Sequence, residues 1–333
     1  MRILIAFILF TVGFAGAETI LLEAESFAHK GGWVVDQQFM DQMGSPYLLA
    51  HGMGEPVADA RTEIDLQPGT YHIHVRTKDW APYPVGPGKF QLEINDEVLE
   101  PVLGADRNGN WHWQAAGTVS ITESPTTIAL HDLTGFAGRC DAIVLTTDKD
   151  FVLPAELTEL TAWRKEMLNL PAMPPNAGEY DLVVVGGGIA GTCAAVQASR
   201  LGLRVALLQN RPVLGGNNSS EIRVHLMGRW DRNHYPKLGR VVRELDNGDP
   251  GNAAYNRHAY GDRRKENVVQ AEENVDLFLN HHMFHAEMDG DRIVAVWSKH
   301  IESGEELRFP AALFADCTGD GNLGYLVGAD YRM

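Results

Sequence analysis

The sequence has little cysteine, a shortage of positive charge and almost no long apolar run. Its three cysteines, Cys140, Cys193 and Cys317, lie far apart and form no C-x-x-C pair. Their number and spacing exclude a dense disulfide framework, a cysteine-rich zinc site and an iron–sulfur cluster held only by thiolates of this chain. The chain has 28 Lys and Arg against 44 Asp and Glu, a formal net charge of −16. Because nucleic acids bind to basic faces, this balance argues against a nucleic-acid partner.

The remaining composition is that of a folded protein with more than one domain. Of the 333 residues, 44% are hydrophobic and 22% are charged. This ratio leaves enough apolar surface for a core and argues against a mainly disordered chain. The length favours two domains, each large enough to bury a core of its own.

The first seventeen residues have the pattern of an export signal. Arg2 supplies a positive start, residues 3–14 form an apolar run, and Ala15-Gly16-Ala17 resembles a cleavage site. The run is too short to span a bilayer comfortably, so we expect a signal peptide over 1–17, cut after Ala17. An uncleaved anchor is the alternative. No later stretch is apolar enough to span, which predicts a secreted or periplasmic protein without a stable membrane span.

Residues 18–150 are predicted to form an antiparallel β-sandwich. Apolar and polar side chains alternate at 71–75, and the same period recurs at 90–94, 119–121 and 128–130. This alternation is typical of strands that bury one face. Gly- and Pro-rich turns separate the runs, and several short strands at this spacing favour a sandwich.

After residue 150 the pattern changes from strands to alternating strands and helices. Residues 151–179 are predicted to be a linker, with a helix at 155–168 and a stiff proline-rich stretch at 171–175. From residue 180 to 333 the order is strand, glycine-rich turn, helix and strand, which indicates an α/β domain.

A glycine motif follows the first strand of this domain. The apolar run 181–185 enters Gly186, Gly188 and Gly191, which fit G-x-G-x-x-G, and a helical stretch at 194–201 follows. In this arrangement the first glycine permits a tight turn, the second lets the backbone approach a pyrophosphate, and the third lets helix and strand pack closely. The motif predicts dinucleotide binding. The alternative is a doubly wound domain that kept these glycines only for packing.

One position departs from the usual pattern. The second strand of such a domain, here 204–208, normally ends at Asp or Glu, which binds the ribose hydroxyls. This sequence has Gln209 instead. A neutral amide can still form a hydrogen bond with a hydroxyl, so we expect Gln209 to face the adenosine ribose.

Four segments together resemble the FAD-dependent oxidoreductase superfamily. The glycine motif is followed by Gly215-Gly216, and 313–321 is similar to a strand that ends in Ala-Thr-Gly, with Cys317 at the alanine position. Residues 275–279 resemble the third parallel strand, and 292–300 with 306–309 resemble the β-meander. The resemblance implies an α/β Rossmann-like domain that binds FAD. The family includes flavoproteins similar to the flavin-binding component of heterodisulfide reductase, but the cysteine count here does not support their iron–sulfur clusters.

The resemblance also implies which residues hold the cofactor. The expected set is Gly186, Gly188, Gly191, Gln209, Arg211, Gly215, Gly216, Asn217, Thr318, Gly319 and Asp320. The first three would hold the pyrophosphate, the segment 211–216 would clasp the second phosphate or the adenine, and 318–320 would close over the adenosine side. Residues 217–225 run towards the flavin. There His225 is either a proton shuttle or a structural histidine, and since a flavin carries out hydride chemistry itself, the catalytic residues remain unknown.

The N-terminal region resembles carbohydrate-binding modules with a galactose-binding-like sandwich. The segments that carry this resemblance are Leu22-Glu23-Ala24-Glu25 and 139–145. In such modules Glu23, Glu25 and Asp141 would meet at a structural Ca²⁺, which prefers oxygen ligands; the alternative is solvated acids at an edge strand. Aromatic faces that could stack on sugar rings are available at Trp33, Trp80, Trp111 and Trp113, and at least half of these are expected to be core or loop-packing residues.

Two other groups of residues receive structural interpretations. His281, His282 and His285 follow the third parallel strand and are expected in a loop rather than at a metal. Arg257, Arg263, Arg264 and Lys265 form a basic cluster among acidic neighbours, which favours a salt-bridged surface over a contact with an anionic substrate or diphosphate.

Two functional hypotheses follow. The first is a secreted FAD-dependent oxidoreductase that transfers hydride from a carbohydrate-related or other small-molecule substrate. The second is a non-catalytic glycan-binding protein with a vestigial or truncated nucleotide-binding half. Only residues 322–333 follow the segment similar to Ala-Thr-Gly, so we expect an incomplete FAD-binding domain. The sequence leaves the substrate, the electron acceptor and the oligomeric state open.

Overall fold

A computed structural model describes residues 17–79, 87–228, 232, 234–247 and 257–332. The predicted export signal, residues 1–17, lies outside the described residues except for Ala17. Trp80 also lies outside them. The chain divides into two compact units, drawn from 1–34 with 48–155 and from 35–47 with 156–333. In the described part of the chain, no helix has the length and hydropathy to cross a membrane.

The first unit is built on two antiparallel sheets. Its strands are β1 (Thr19–Glu23), β2 (Trp33–Asp36), β3 (Tyr47–His51), β4 (Ala60–Ile64), β5 (Gly69–Thr77), β6 (Phe90–Ile94), β7 (Glu97–Val98), β8 (His112–Ile121), β9 (Thr126–Asp132) and β10 (Phe136–Thr146). One sheet has the order β2-β3-β10-β5-β8, with β1 also paired to β10, and the other has the order β4-β9-β6-β7. A short helix, α1 (Met40–Met43), lies between β2 and β3 in sequence and belongs to the second unit.

The buried faces of these sheets follow the predicted alternation. In β5, Tyr71, Ile73 and Val75 are buried, whereas His72 and His74 between them are partly exposed. The same alternation holds along the whole of β6. The apolar side chains of alternate positions form the core of the unit because successive residues of a strand point to opposite faces. The predicted antiparallel β-sandwich is therefore confirmed.

The second unit is a mixed six-stranded sheet with helices. Its elements are α2 (Leu157–Met167), β11 (Tyr180–Val185), α3 (Ile189–Arg200), β12 (Val205–Gln209), α4 (Gly239–Leu245), α5 (Asp262–Gln270), β13 (Val275–Leu279), β14 (His281–Asp289), β15 (Arg292–His300), β16 (Glu306–Asp316) and α6 (Asn322–Leu326). The order is β13-β12-β11-β16-β15-β14. The first four strands are parallel and the last two join them antiparallel. The predicted α/β fold is confirmed.

A single long strand joins the two halves of this sheet. The sequence suggested separate strands at 306–309 and from 313 onwards, but β16 runs without a break through both. It pairs antiparallel with β15 as far as Pro310 and parallel with β11 from Ala311. Proline interrupts a ladder because it has no N–H to donate, and here it lies at the point where the strand changes partner. The histidines expected in a loop, at 281, 282 and 285, instead belong to β14.

Residues 35–47 pack within the second unit although they lie between two strands of the sandwich in sequence. The guanidinium of Arg164 on α2 donates a hydrogen bond to the Ser45 hydroxyl. Lys299 Nζ on β15 donates to the carbonyl of Gly44 at 2.9 Å and lies 3.3 Å from the buried carboxylate of Glu306. Buried cations need such partners because an unpaired one is costly to desolvate. These contacts fix the segment against α2 and β15.

Candidate functional site

The turn between β11 and α3 brings three stretches of backbone into close contact. At Gly186, where φ is +105°, a Cβ atom would lie 2.2 Å from the carbonyl oxygen of Cys317. At Gly191 a Cβ would lie 1.9 Å from the carbonyl oxygen of Gly186. Neither position can accept a side chain. Gly188 differs, because a Cβ there would meet nothing within 4 Å, so its exposed face is open to a ligand.

The N-terminus of α3 follows directly. Gly188 is its N-cap residue, and the Thr192 hydroxyl donates to the carbonyl of Gly187 at 3.1 Å. The first N–H groups of an α-helix have no acceptor inside the helix and carry a partial positive charge. The turn therefore presents backbone donors that suit a phosphate.

A second glycine turn lies against the first. Gly215 donates its N–H to the carbonyl of Gly187 at 2.8 Å and forms a parallel bridge with Gly188. A Cβ at Gly215 would lie 2.3 Å from the carbonyl of Asn218 and 2.9 Å from Cε of Lys265. Only glycine fits between these neighbours, so the two turns can pack together.

The side chain of Gln209 is buried between the two turns, with 5% of its surface exposed. Its Oε1 accepts a hydrogen bond from the N–H of Gly187 at 2.8 Å. Its Nε2 donates to the carbonyl of Val213 at 2.9 Å. Both ends of the amide thus bind backbone, although Gln209 was expected to face a ribose.

At the end of β16, Asp316 organises the third segment of the site. Its carboxylate accepts hydrogen bonds from the Thr318 hydroxyl at 2.8 Å and from the N–H of Gly324 at 2.9 Å. Burial favours a higher pKa for Asp316, but these hydrogen bonds prevail and hold its pKa below the ordinary value. The Thr318 hydroxyl accepts the N–H groups of Gly321 and Asn322, which fixes the start of α6. The segment similar to Ala-Thr-Gly pointed to residues 318–320 and did not predict the role of Asp316.

These three segments line one cavity of about 640 Å³. Ten of the eleven residues expected from the sequence are on its wall, namely Gly186, Gly188, Gln209, Arg211, Gly215, Gly216, Asn217, Thr318, Gly319 and Asp320. Gly191 is not on the wall and instead lets α3 approach Gly186. The cavity lies in the size range of small-molecule and cofactor sites, roughly 300–1,000 Å³.

His225 also lines the cavity, and its ring is held by Tyr260. The two ring centroids are 5.9 Å apart at an interplanar angle of 29°. The Tyr260 hydroxyl donates to the carbonyl of Arg223 at 2.6 Å, and Lys265 Nζ donates to the carbonyl of Tyr260. Lys265, predicted to be part of a salt-bridged surface, is fully buried. Burial lowers the pKa of its ammonium, although Asp262 and Asp246 oppose the shift.

Two buried histidines of β14 form another part of the wall. His281 Nδ1 lies 2.9 Å from the Ser298 hydroxyl, and burial, with a smaller effect of His300, lowers the pKa of His281 to about 4. Nε2 of His282 lies 3.5 Å from Oδ1 of Asp41. The nearby His282 ring is the main cause of a lowered pKa at Asp41, and burial opposes it. A strand period of two could not have predicted both, because His281, His282 and Met283 are buried in succession.

The proposed calcium ligands of the first unit have a different electrostatic partner. Glu23, Glu25 and Asp141 are buried near Cys140, and all three carboxylates add to the effect of burial in raising the pKa of its thiol. Nη1 of Arg76 lies 2.7 Å from Oδ2 of Asp141. In the part of the chain that the structure describes, no group of three His, Cys, Asp or Glu side chains could hold a metal ion. The calcium prediction is therefore not supported, because a guanidinium supplies the positive charge.

Three of the four candidate tryptophans lie within the described residues, and two of them differ clearly in exposure. Trp33 is 2% exposed and packs edge-on against Phe90, with ring centroids 5.6 Å apart. It is a core residue. Trp111 is partly exposed and lies beneath the guanidinium of Arg76, 6.0 Å from the ring centroid.

Residues 181–333 match the family described as FAD dependent oxidoreductase. Both glycine turns and the cavity lie within this matched segment, which is therefore similar to FAD-dependent oxidoreductases. Over 38 residues the chain is 53% identical to a soluble pyridine nucleotide transhydrogenase of Ectopseudomonas mendocina (strain ymp). This match covers 11% of this chain and 8% of that protein.

Two solved structures show weaker similarity, one to each part of the chain. A geranylgeranyl bacteriochlorophyll reductase-like protein from Thermoplasma acidophilum is 16% identical with a TM-score of 0.35, over 46% of this chain and 42% of that one. A family 35 carbohydrate binding module from Clostridium thermocellum is 11% identical with a TM-score of 0.33, over 38% of this chain and 97% of that one. The chain spans less than half the length of the transhydrogenase and of the reductase-like protein.

The contact at Gly191 predicts the effect of adding one methyl group. We expect Gly191→Ala to lower the free energy of unfolding of the second unit by about 2 kcal/mol or more, since the Cβ would overlap the carbonyl of Gly186 and overpacking costs roughly 1–3 kcal/mol. Urea denaturation of the cofactor-free protein measures this loss. Gly188→Ser is the matched control, because its Cβ has free space and serine is a favourable N-cap residue. Equal stability of both variants would contradict the prediction.

The pKa of His281 predicts a pH-dependent stability. Between pH 6.5 and about 4 the unfolded chain binds a proton at this residue that the folded chain does not bind. Stability should therefore fall as the pH falls through this window, by about 2 kcal/mol between pH 7 and pH 5. His281→Gln should remove about this much of the dependence in urea titrations at the two pH values. His285→Gln, at an exposed position of the same strand, should retain it, and an unchanged dependence in His281→Gln would refute the assignment.

Proposed function

We propose that the second unit binds FAD in the cavity between the two glycine turns and acts as a flavin-dependent oxidoreductase. The observation that supports this proposal is the open space at Gly188, beside the start of α3. A Cβ added at Gly216 would lie 3.3 Å from Cα of Gly188. A diphosphate can approach the backbone there and accept its free N–H groups. Packing alone would not require glycine at this position, so the motif has a role beyond packing.

Further residues in the wall of the cavity would contact the bound dinucleotide. The diphosphate would lie at the N-terminus of α3, with the guanidinium of Arg211 nearby in the wall. Thr318, Gly319 and Asp320 also line the cavity, and Asp316 fixes their loop. Bound FAD would supply hydride chemistry, and the protein would supply binding, orientation and exclusion of water.

We further propose that the protein is exported and that its substrate is related to carbohydrate. The N-terminal pattern at 1–17 supports export. The β-sandwich and its sequence similarity to carbohydrate-binding modules support a glycan ligand, with the partly exposed Trp111 as a stacking surface. The competing proposal is a glycan-binding protein whose nucleotide-binding half does not turn over.

FAD binding is tested by reconstitution. We expect the purified full chain, incubated with FAD and desalted, to retain a flavin absorption band. Gly188→Ser should reduce FAD affinity by at least tenfold, because its hydroxyl would occupy the open space and accept the same N–H groups as the diphosphate. Fluorescence titration measures the affinity.

Stability separates a blocked site from a misfolded protein. The Gly188→Ser variant should unfold at the same urea concentration as the cofactor-free wild type. A wild-type chain that retains no flavin would refute the FAD proposal. A wild-type affinity in Gly188→Ser would refute the placement of the diphosphate. Reduction of bound flavin by a sugar, monitored by bleaching, would distinguish the enzyme from the non-catalytic alternative.

Export and glycan binding can be tested in one preparation. When the chain is expressed with its leader in a bacterial host, we expect the protein outside the cytoplasm to begin at Glu18 by mass spectrometry. Its migration should be retarded in gels that contain soluble β-glucan or xylan, and Trp111→Ala should reduce this retardation because the stacking surface is lost. Cytoplasmic accumulation of the full chain would reject export. Identical migration with and without polysaccharide would reject binding of these glycans.

A further inference from the structure

We propose that Gln209 is a positioning residue that fastens the two glycine turns together, and that it does not bind the ribose. This inference rests on the proposed FAD site, since it assigns a role within that site. The position is the one at which a dinucleotide-binding domain usually has an acid for the ribose hydroxyls. The structure gives the amide a different task.

The hydrogen bonds of the amide identify this task. The Gly187 N–H that binds Oε1 belongs to the first turn, whereas the Val213 carbonyl that binds Nε2 leads into the second. The two turns also meet directly through the bond from Gly215 N–H to the Gly187 carbonyl. Gln209 therefore adds a side-chain connection to the backbone contact between the turns.

The stem of Gln209 packs closely against the first turn. A Cβ added at Gly187 would lie 2.9 Å from Cβ of Gln209 and 2.6 Å from Cδ2 of Leu214, and only 5% of the surface of Gln209 is exposed. Rotation towards a ribose would also leave a buried N–H and a buried carbonyl without partners, which costs about 1–3 kcal/mol for each group. The ribose would then fall to Asn210 and Arg211, the next two residues, which also line the cavity.

The chemistry of the two bonds requires an amide. One end of the side chain must accept a hydrogen bond and the other end must donate one, which glutamine does and an ionised glutamate cannot. In Gln209→Glu one carboxylate oxygen would face the Val213 carbonyl, and a negative charge would lie beside the bound diphosphate. A protonated glutamate has an O–H donor and can restore both bonds. The variant should therefore improve as the pH falls.

The experiment compares Gln209→Glu with Gln197→Glu, the same change at an exposed position of α3. Each protein is titrated with FAD between pH 8 and pH 5, and the melting temperature of the cofactor-free form is recorded. At pH 8 we expect Gln209→Glu to bind FAD about tenfold or more weakly than wild type, as expected when a buried hydrogen bond is lost. Its cofactor-free form should also melt at a lower temperature. Relative to wild type and Gln197→Glu at each pH, both deficits should shrink towards pH 5.

A ribose ligand would give the opposite result. Gln209→Glu would then restore the usual acid, bind FAD at least as tightly as wild type, and leave the cofactor-free melting temperature unchanged at every pH. That outcome would overturn the proposal. Gln209→Met removes both hydrogen bonds at similar volume, so its losses should be independent of pH. Wild-type stability and affinity in this variant would overturn the proposal even if Gln209→Glu does not fold.

Failure of the proposed function would be recognisable separately. If wild type binds no FAD, the FAD site is wrong, but the melting temperatures still test the contact between the turns. If wild type binds FAD and the Gln209 variants behave as wild type, the site stands and this inference fails.

Discussion

The second unit depends on the close contact of backbone segments at the glycine turn. The carbonyl of Cys317 at the end of β16 and the carbonyl of Gly186 both occupy space that any side chain would need. Because no Cβ separates them, α3 can begin directly above the carboxyl ends of β11 and β16. The second turn then bonds to the first through Gly187 and Gly215. The cavity is the space that remains between these segments.

The backbone arrangement at the glycine turn also explains how an acidic chain can accommodate an anionic cofactor. The protein has a formal net charge of −16, and Arg211 is the one Arg or Lys among the described residues of the cavity wall. Backbone N–H groups at a helix N-terminus attract a phosphate without a full charge. The acidity of the chain therefore argues against long-range attraction of polyanions but does not oppose local binding of a diphosphate.

The parts that the sequence predicted well are those set by local patterns. The alternation in β5 and the glycine spacing from Gly186 to Gly191 follow from backbone sterics and hydrogen bonding within a few residues. Features that depend on distant partners were missed. The burial of Lys265 depends on Tyr260 and the turn at Gly215, and the direction of the Gln209 amide depends on Val213. Arg76 lies beside Asp141, where the sequence suggested a calcium ion, and it does so because β5 pairs with β10.

The packing of the second unit also shows that its folding unit is larger than the segment that matches the family. Residues 181–333 contain Lys299 and His282, but the groups that these side chains contact, the Gly44 carbonyl and the Asp41 carboxylate, come from between β2 and β3. Lys299 and His282 are buried. Without residues 35–47, the buried ammonium of Lys299 would lose an acceptor and the buried ring of His282 would lose its neighbouring carboxylate, and desolvated polar groups without partners are costly. Part of the framework around the cavity is therefore encoded between two strands of the sandwich.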